Sequence, residues 1–233
     1  MRLVLFDIDG TLLTTGGAGA EAMRRAFADL YGIADALAGI PMAGNTDRAI
    51  VQEALRRQRL PYHEAALQAI ERRYLYHLRQ TLQEPHRPRR LLPGVAPLLA
   101  VLNARRDLIV GLLTGNFAAA ARLKLEAFGI WHYFRVGAYG SDAADRNALL
   151  PLAQVRAYRL LGQAVPASQT VVIGDTPRDI ACARAHGARV IAVATGSYDL
   201  ATLRQHAPDH CLRDLGDVPT VVRLITADGQ SPS

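Results

Sequence analysis

Three short runs of polar and glycine residues each follow an apolar stretch that is typical of a buried strand. The runs are Asp7-Ile8-Asp9-Gly10-Thr11, Thr114-Gly115-Asn116 and Gly174-Asp175-Thr176-Pro177-Arg178-Asp179. Together they supply four carboxylates, which repel one another when they lie close together unless a positive charge neutralises them. A hard divalent cation such as Mg²⁺ does this with oxygen ligands, and glycines beside it suit a bound phosphate. The three runs therefore predict a site for phosphate chemistry.

Two of these acids, Asp7 and Asp9, are separated by a single residue. Residues two apart on an extended chain point to the same side, and a turn that begins at Gly10 can close one site around both. One carboxylate can then attack as a nucleophile while the other transfers protons. A single acid such as Asp7 would be better explained as a helix cap or a turn residue. It is the repetition at three strand ends that favours a functional site.

Strand-like and helical segments alternate along the chain from Leu92 onward. Together with a first strand at 2–6, this alternation predicts an α/β fold, a Rossmann-like doubly wound parallel sheet with helices on both faces. Ligands bind beyond the carboxyl ends of the strands in such a sheet, where the three polar runs lie. The later predicted strands are 108–113, 134–138, 170–174, 189–193 and 210–212, and the predicted helices are 95–105, 117–128, 147–162, 178–186 and 215–225.

Residues 20–83 differ from the rest because their apolar residues recur with a helical period and show almost no strand pattern. A glycine-rich link at 14–19 precedes them. The whole segment is far longer than an ordinary crossover between strands, so an inserted helical domain is the simplest organisation. The predicted domains are a core at 1–14 and 93–228, a helical domain at 15–92 and a frayed tail at 229–233.

The composition, half apolar and 21% charged, is typical of a globular protein. No apolar run approaches the length of about 20 residues that spans a membrane, and the N-terminus lacks a signal-peptide layout. Cys182 and Cys211 are too few for a disulfide framework. We therefore expect a cytoplasmic protein with no membrane partner.

The net charge of +6 makes nucleic acid a partner to consider. The charge is spread along the chain rather than striped, and we expect no nucleic-acid partner. Residues 15–92 carry 12 arginines against 8 acids and are the more basic part of the chain. This excess is consistent with an anionic substrate held between the two domains, and equally with a solvated helix face.

The motifs resemble those of the haloacid dehalogenase (HAD) superfamily of phosphohydrolases. Asp7-Ile8-Asp9-Gly10-Thr11 resembles the first motif, Thr114 at the end of an apolar strand the second, and Gly174-Asp175 with Asp179 the fourth. An all-helical insert between the first two motifs resembles the cap domain of the phosphoglycolate-phosphatase-like branch. The resemblance covers nearly the whole chain.

The resemblance implies roles for the four acids. Asp7 would be the nucleophile and would form an aspartyl-phosphate. Asp9 would be the general acid for the leaving alcohol and then the general base for water. Mg²⁺ would be held by the Asp7 carboxylate, the Asp9 backbone carbonyl and Asp175, while Asp179 would hold a metal-bound water or a backbone group.

The same resemblance implies that Thr114, with the amides of Gly115 and Asn116, binds the phosphoryl oxygens. The family usually places a lysine just before the helix that precedes the fourth motif, and this chain departs from that pattern. Arg146 occupies the usual place, whereas Lys124, the only lysine of the chain, lies on the helix after Thr114. Both are kept as candidates for the third-motif cation, with Lys124 preferred.

Substrate choice would fall to the helical domain, where Thr46 and Arg48 are the candidate specificity residues. The leading function is a Mg²⁺-dependent phosphomonoesterase acting on a small, soluble, phosphoglycolate-like ester. A sugar-phosphate mutase and a non-catalytic binding protein on the same fold are the alternatives. Asp9 argues against a dehalogenase, and the absence of lysine from residues 15–92 argues against a phosphonatase. The sequence leaves the oligomeric state open.

Overall fold

The computed structural model of the protein describes residues 1–227. Its centre is a sheet of six parallel strands in the order β5-β4-β1-β6-β7-β8. The predicted tail at 229–233 lies outside the described residues. The strands of this sheet are β1 (Arg2–Phe6), β4 (Leu108–Thr114), β5 (Val136–Tyr139), β6 (Thr170–Gly174), β7 (Arg189–Val193) and β8 (His210–Leu212).

Helices cover both faces of the sheet because alternate strand residues point to opposite sides. Val4 and Phe6 of β1 belong to one apolar cluster, whereas Leu3 and Leu5 belong to the other. The first cluster contains residues of α4 (Val95–Asn103), α5 (Ala118–Glu126) and α9 (Val218–Thr226). The second contains residues of α6 (Leu149–Leu161), α7 (Pro177–Ala185) and α8 (Leu200–Gln205). The predicted doubly wound α/β class is confirmed.

Three further helices follow β1 in the chain and form a third apolar cluster. Tyr74 and Phe27 are among its largest fully buried side chains. Phe117 and Ala120, from the start of α5, belong to the same cluster, so the three helices pack against the core. The helices are α1 (Ala18–Tyr31), α2 (Asp47–Arg57) and α3 (Glu64–Thr81). We call residues 15–92 the helical segment.

A two-stranded antiparallel ribbon joins the helical segment to the sheet. It consists of β2 (Leu13–Thr14) and β3 (Arg90–Leu91). The sequence predicts a flexible link over 14–19, but Thr14 is in this ribbon and α1 already begins at Ala18. Two-residue strands have no periodicity that a sequence pattern can show, and neither the ribbon nor α8 is predicted. No helix within residues 1–227 is long and apolar enough to cross a membrane.

The packing of β1 provides a test of the fold. Leu5 lies in β1, one of the two central strands of the sheet, and is fully buried. Leu5→Ala removes buried methyl groups that well-packed neighbours cannot replace, so we expect a loss of about 2–5 kcal/mol in the free energy of unfolding. Urea denaturation measures it. Val155→Ala on an exposed helix face is the matched control and should cost less than about 0.5 kcal/mol. Equal costs for the two variants would contradict the described packing.

Candidate active site

The three polar runs meet at one edge of the sheet because β4, β1 and β6 are adjacent and parallel. Asp7 follows β1, Thr114 ends β4, and Asp175 follows β6. The backbone N–H of Asp7 donates to Ile173 O at 2.9 Å, which continues the β1–β6 pairing by one residue. The two acids and the hydroxyl that the sequence places at three separate strand ends therefore come together at one edge of the sheet.

The carboxylates of Asp7, Asp175 and Asp179 lie within 4.8 Å of one another, and all three residues are buried. Burial raises the pKa of Asp7 to about 6, and the nearby Arg146 opposes this shift. The pKa of Asp175 is raised well above its usual value by burial and by the charge of Asp179. Such a cluster needs positive charge to stay ionised.

Glycines allow this cluster to be packed so tightly. A Cβ atom at Gly196 would lie 1.7 Å from Oδ2 of Asp175, and one at Gly10 would lie 2.3 Å from the same atom. Gly10 also has a φ of +80°, which is unfavourable for other residues. Thr11 Oγ1 donates to Asp175 Oδ1 at 2.9 Å. The Asp175 carboxylate is therefore fixed from several sides.

Arg146 brings a buried positive charge to the acidic cluster. Its Nη2 atom donates to Asp179 Oδ1 at 2.5 Å and lies 3.2 Å from Asp7 Oδ2. The other oxygen of Asp179 accepts from the backbone N–H and the hydroxyl of Thr176, in a capping box that begins α7. Both oxygens of Asp179 are thus bonded to protein donors, whereas Asp7 faces the cavity described below.

Lys124 brings a second buried positive charge to the site. Its Nζ atom donates to Asp9 Oδ2 and to Asn116 Oδ1, each at 2.6 Å. Asn116 Nδ2 donates to the same Asp9 oxygen at 2.9 Å and to Thr114 Oγ1 at 2.8 Å. The structure therefore places Lys124 with Asp9 and Arg146 with Asp7, and the two candidate cations occupy different positions.

A cavity of about 490 Å³ lies between this edge of the sheet and the helical segment. Thr46 and Arg48 are not among its lining residues. Thr46 caps α2 and donates to Ala144 O at 2.7 Å, and Arg48 pairs with Glu64 at 2.7 Å. Seven of the residues predicted from the sequence do line the cavity, namely Asp7, Asp9, Gly115, Asn116, Lys124, Arg146 and Asp175.

The lining also includes residues that were not among the predicted site residues. Thr195 and Gly196 follow β7, so the strand-end argument could have found them. Thr195 Oγ1 donates to Gly10 O at 2.5 Å. Asp47 and Tyr74 come from α2 and α3, and no local pattern places them at the site. They reach it only because the helical segment packs against the loop after β4.

The donor set fits a hard divalent cation. Asp7 and Asp175 present carboxylate oxygens close together, and Mg²⁺ prefers oxygen ligands at about 2.1 Å, often with one or two carboxylates. The raised pKa values of both acids reflect like charges and burial that a cation would offset. Because Asp179 is bonded through both oxygens, it fits the outer position better than a direct one.

Comparison with known proteins gives the family. The model of the haloacid dehalogenase-like hydrolases matches residues 1–187. The chain belongs to this family of hydrolases, which confirms the resemblance drawn from the motifs.

Relatives extend over almost the whole chain. Phosphoglycolate phosphatase from Synechococcus elongatus is 31% identical over 226 residues, which are 94% of this chain and 95% of that protein. Probable phosphatase IndB from Dickeya dadantii is 27% identical over 236 residues, 99% of this chain and 97% of that protein. The predicted enzyme class, a HAD-type phosphatase of the phosphoglycolate-phosphatase-like branch, is confirmed.

Solved structures share the fold. CbbY from Rhodobacter sphaeroides, in complex with phosphate, has a TM-score of 0.69 at 22% identity and covers 94% of this chain and 96% of that one. A predicted phosphoglycolate phosphatase from Haemophilus somnus has a TM-score of 0.67 at 21% identity, covering 95% and 98% of the two chains. The described sheet order and helical segment are therefore those of a known architecture.

The position of Arg146 leads to a stability prediction. Arg146→Met leaves Asp7 and Asp179 buried without their shared cation, so we expect a loss of about 3–5 kcal/mol in the free energy of unfolding. Chemical denaturation in the presence of a chelator measures the change. Arg122→Met is the matched control, because the Arg122–Glu126 pair is exposed and should cost less than about 1 kcal/mol. A small loss for Arg146→Met would contradict the described charge balance.

The raised pKa of Asp7 leads to a second prediction. The folded protein binds a proton at Asp7 more tightly than the unfolded chain, so stability from this group is present at low pH and is lost as the pH rises through about 6. The Asp7→Asn variant has no ionisable group at this position, so it does not lose this stability as the pH rises. In chelator, the variant should gain stability over the original protein from pH 4 to pH 7, by at most about 3 kcal/mol. A stability difference that does not change over this range would contradict the assignment.

Proposed function

We propose that the protein is a Mg²⁺-dependent phosphomonoesterase that hydrolyses a small soluble phosphate ester through an aspartyl-phosphate at Asp7. The observation that carries the proposal is the pairing of each catalytic acid with its own buried cation at one cavity. Arg146 lies 3.2 Å from Asp7, and Lys124 lies 2.6 Å from Asp9. A dianionic phosphoryl group can approach two carboxylates only where positive charge offsets the repulsion.

The first half of the reaction forms the intermediate. An Asp7 oxygen attacks phosphorus, the bond from phosphorus to the ester oxygen breaks, and Asp9 gives a proton to the leaving alcohol. Asn116 and Lys124 hold the Asp9 carboxylate at the cavity, where this transfer would occur. Thr114 and the amides after it are the proposed donors to the phosphoryl oxygens.

The second half releases phosphate. Asp9 takes a proton from water as the water oxygen attacks phosphorus, and the bond to Asp7 breaks to give inorganic phosphate. Asp7, Asp175 and the Asp9 backbone carbonyl would hold the metal, which supplies positive charge to the phosphoryl oxygens when bound. Asp179 would orient this arrangement through its bonds to Arg146 and Thr176.

The helical segment would act as a cap domain over a core formed by residues 1–14 and 93–228. Relatives named phosphoglycolate phosphatases make a phosphoglycolate-like ester the first substrate to consider. The proposed partner is a small-molecule phosphate ester, and the proposed location is the cytoplasm.

The test is release of inorganic phosphate from p-nitrophenyl phosphate, with Mg²⁺ and with a chelator. We expect metal-dependent turnover that Asp7→Asn lowers by a factor of about 10³ or more, because no other group replaces the nucleophile. Asp107→Asn, which changes an exposed acid paired with Arg105, is the matched control and should keep full activity. Full activity of Asp7→Asn would overturn the mechanism.

The same assay separates the alternatives. Phosphoryl return to a sugar phosphate without phosphate release would instead support a mutase. No turnover and no phosphorylated protein with any ester would support a binding protein.

A further inference from the structure

The helical segment supplies one wall of the cavity, which contains apolar surface and one charged side chain. Met23, Met42 and Ile50 supply its apolar surface. Asp47 is the only charged residue of the segment that lines the cavity, and the structure describes all of residues 15–92. A leaving group bound against this wall would therefore meet a carboxylate and no cation from the helical segment.

The basic excess of the helical segment lies elsewhere. None of its 12 arginines lines this cavity. Arg48 pairs with Glu64 at 2.7 Å and donates to Tyr62 Oη at 3.0 Å, and Arg24 pairs with Glu21 at 2.8 Å. The sequence-based link between this excess and an anionic substrate therefore has no support from the cavity. The two lining cations, Lys124 and Arg146, come from the core and face the reacting acids.

Asp47 is held rigidly and keeps hydrogen-bonding capacity. Its Oδ2 atom accepts from the Phe117 N–H at 2.8 Å, and its own N–H donates to Gly115 O at 2.7 Å. A carboxylate has room for about four hydrogen bonds, so one bond leaves acceptor positions unused. Burial raises the pKa of Asp47 to about 6, and the charge of nearby Lys124 opposes this rise, so the group is mainly ionised at neutral pH.

Tyr74 adds a donor to the same wall. Tyr74 lines the cavity and is only 2% exposed. Burial raises the pKa of its hydroxyl well above the usual value. The phenol therefore stays protonated at neutral pH and can donate. Asp47 and Tyr74 together offer an acceptor and a donor beside apolar surface.

We propose that the alcohol part of the substrate ends in a hydroxyl or ammonium group that donates to Asp47, and that esters ending in a carboxylate or a second phosphate are disfavoured. The inference rests on the proposed phosphatase function. A second anion near Asp47 would meet a fixed like charge in a partly desolvated cavity, which discriminates by repulsion. A neutral or cationic donor would gain a charge-assisted hydrogen bond.

Three esters of the same length test the charge preference. They are 2-phosphoglycolate, 2-hydroxyethyl phosphate and phosphoethanolamine, whose distal groups are anionic, neutral and cationic. We expect kcat/KM for the hydroxyethyl and aminoethyl esters to exceed that for phosphoglycolate by about tenfold or more. A kcat/KM for phosphoglycolate equal to or above the other two would overturn the inference and leave the phosphatase intact.

The Asp47→Asn variant tests whether the Asp47 carboxylate causes this charge preference. Asparagine keeps an oxygen for the Phe117 N–H but removes the charge, so the preference over phosphoglycolate should fall by about fivefold or more. Asp107→Asn is the control, because Asp107 is an exposed acid paired with Arg105 and does not line the cavity. It should leave the preference unchanged. An equal loss with all three esters in Asp47→Asn would mean that Asp47 only holds the loop, which overturns the proposal.

Binding measurements test this inference independently of the proposed phosphatase activity. Calorimetric titration of Asp7→Asn protein with each ester, in the presence of Mg²⁺, needs no turnover. Weaker binding of phosphoglycolate than of the other two supports the inference even if no ester is hydrolysed, in which case the phosphatase proposal fails alone. Equal or tighter binding of phosphoglycolate overturns the inference whatever the activity.

Discussion

Arg146 places one guanidinium nitrogen within 3.2 Å of both Asp7 and Asp179, in a position where all three side chains are buried. This charge balance allows acidic strand ends to be packed into a protein interior, where isolated carboxylates would be neutral or destabilising. Lys124 balances the charge of Asp9 in the same way through an ion pair. The glycines that approach Asp175 and Asp179 follow from the same constraint, since any side chain there would displace a carboxylate.

The helical segment is tied to the site through the backbone as well as through side chains. Asp47 bonds to Gly115 and Phe117 in the loop after β4. A Cβ atom at Gly115 would lie 2.0 Å from Asn45 O, so a larger residue would separate the two parts. The loop proposed to bind phosphate and the wall proposed to contact the leaving group are therefore in direct contact.

The sequence predicted the sheet well because its signal is local. The strands at 2–6, 170–174, 189–193 and 210–212 were placed at their observed limits, since short apolar runs between turn residues define buried strands. The ribbon of β2 and β3 was missed because two residues give no period. The rule that ligands meet parallel strands at their carboxyl ends locates the acids, and Thr195 and Gly196 follow β7 at the same edge of the sheet.

By itself, the sequence determined the fold class, the family and the strand ends that carry Asp7, Thr114 and Asp175. These depend on periodicity and on residues adjacent in the chain. Only the tertiary structure decided that Lys124 and Arg146 lie at different acids, and that Asp47 faces the cavity while Arg48 turns to Glu64. Neighbouring residues on a helix point in different directions. Which of them reaches a distant site depends on how that helix packs against the core, and no local pattern contains that information.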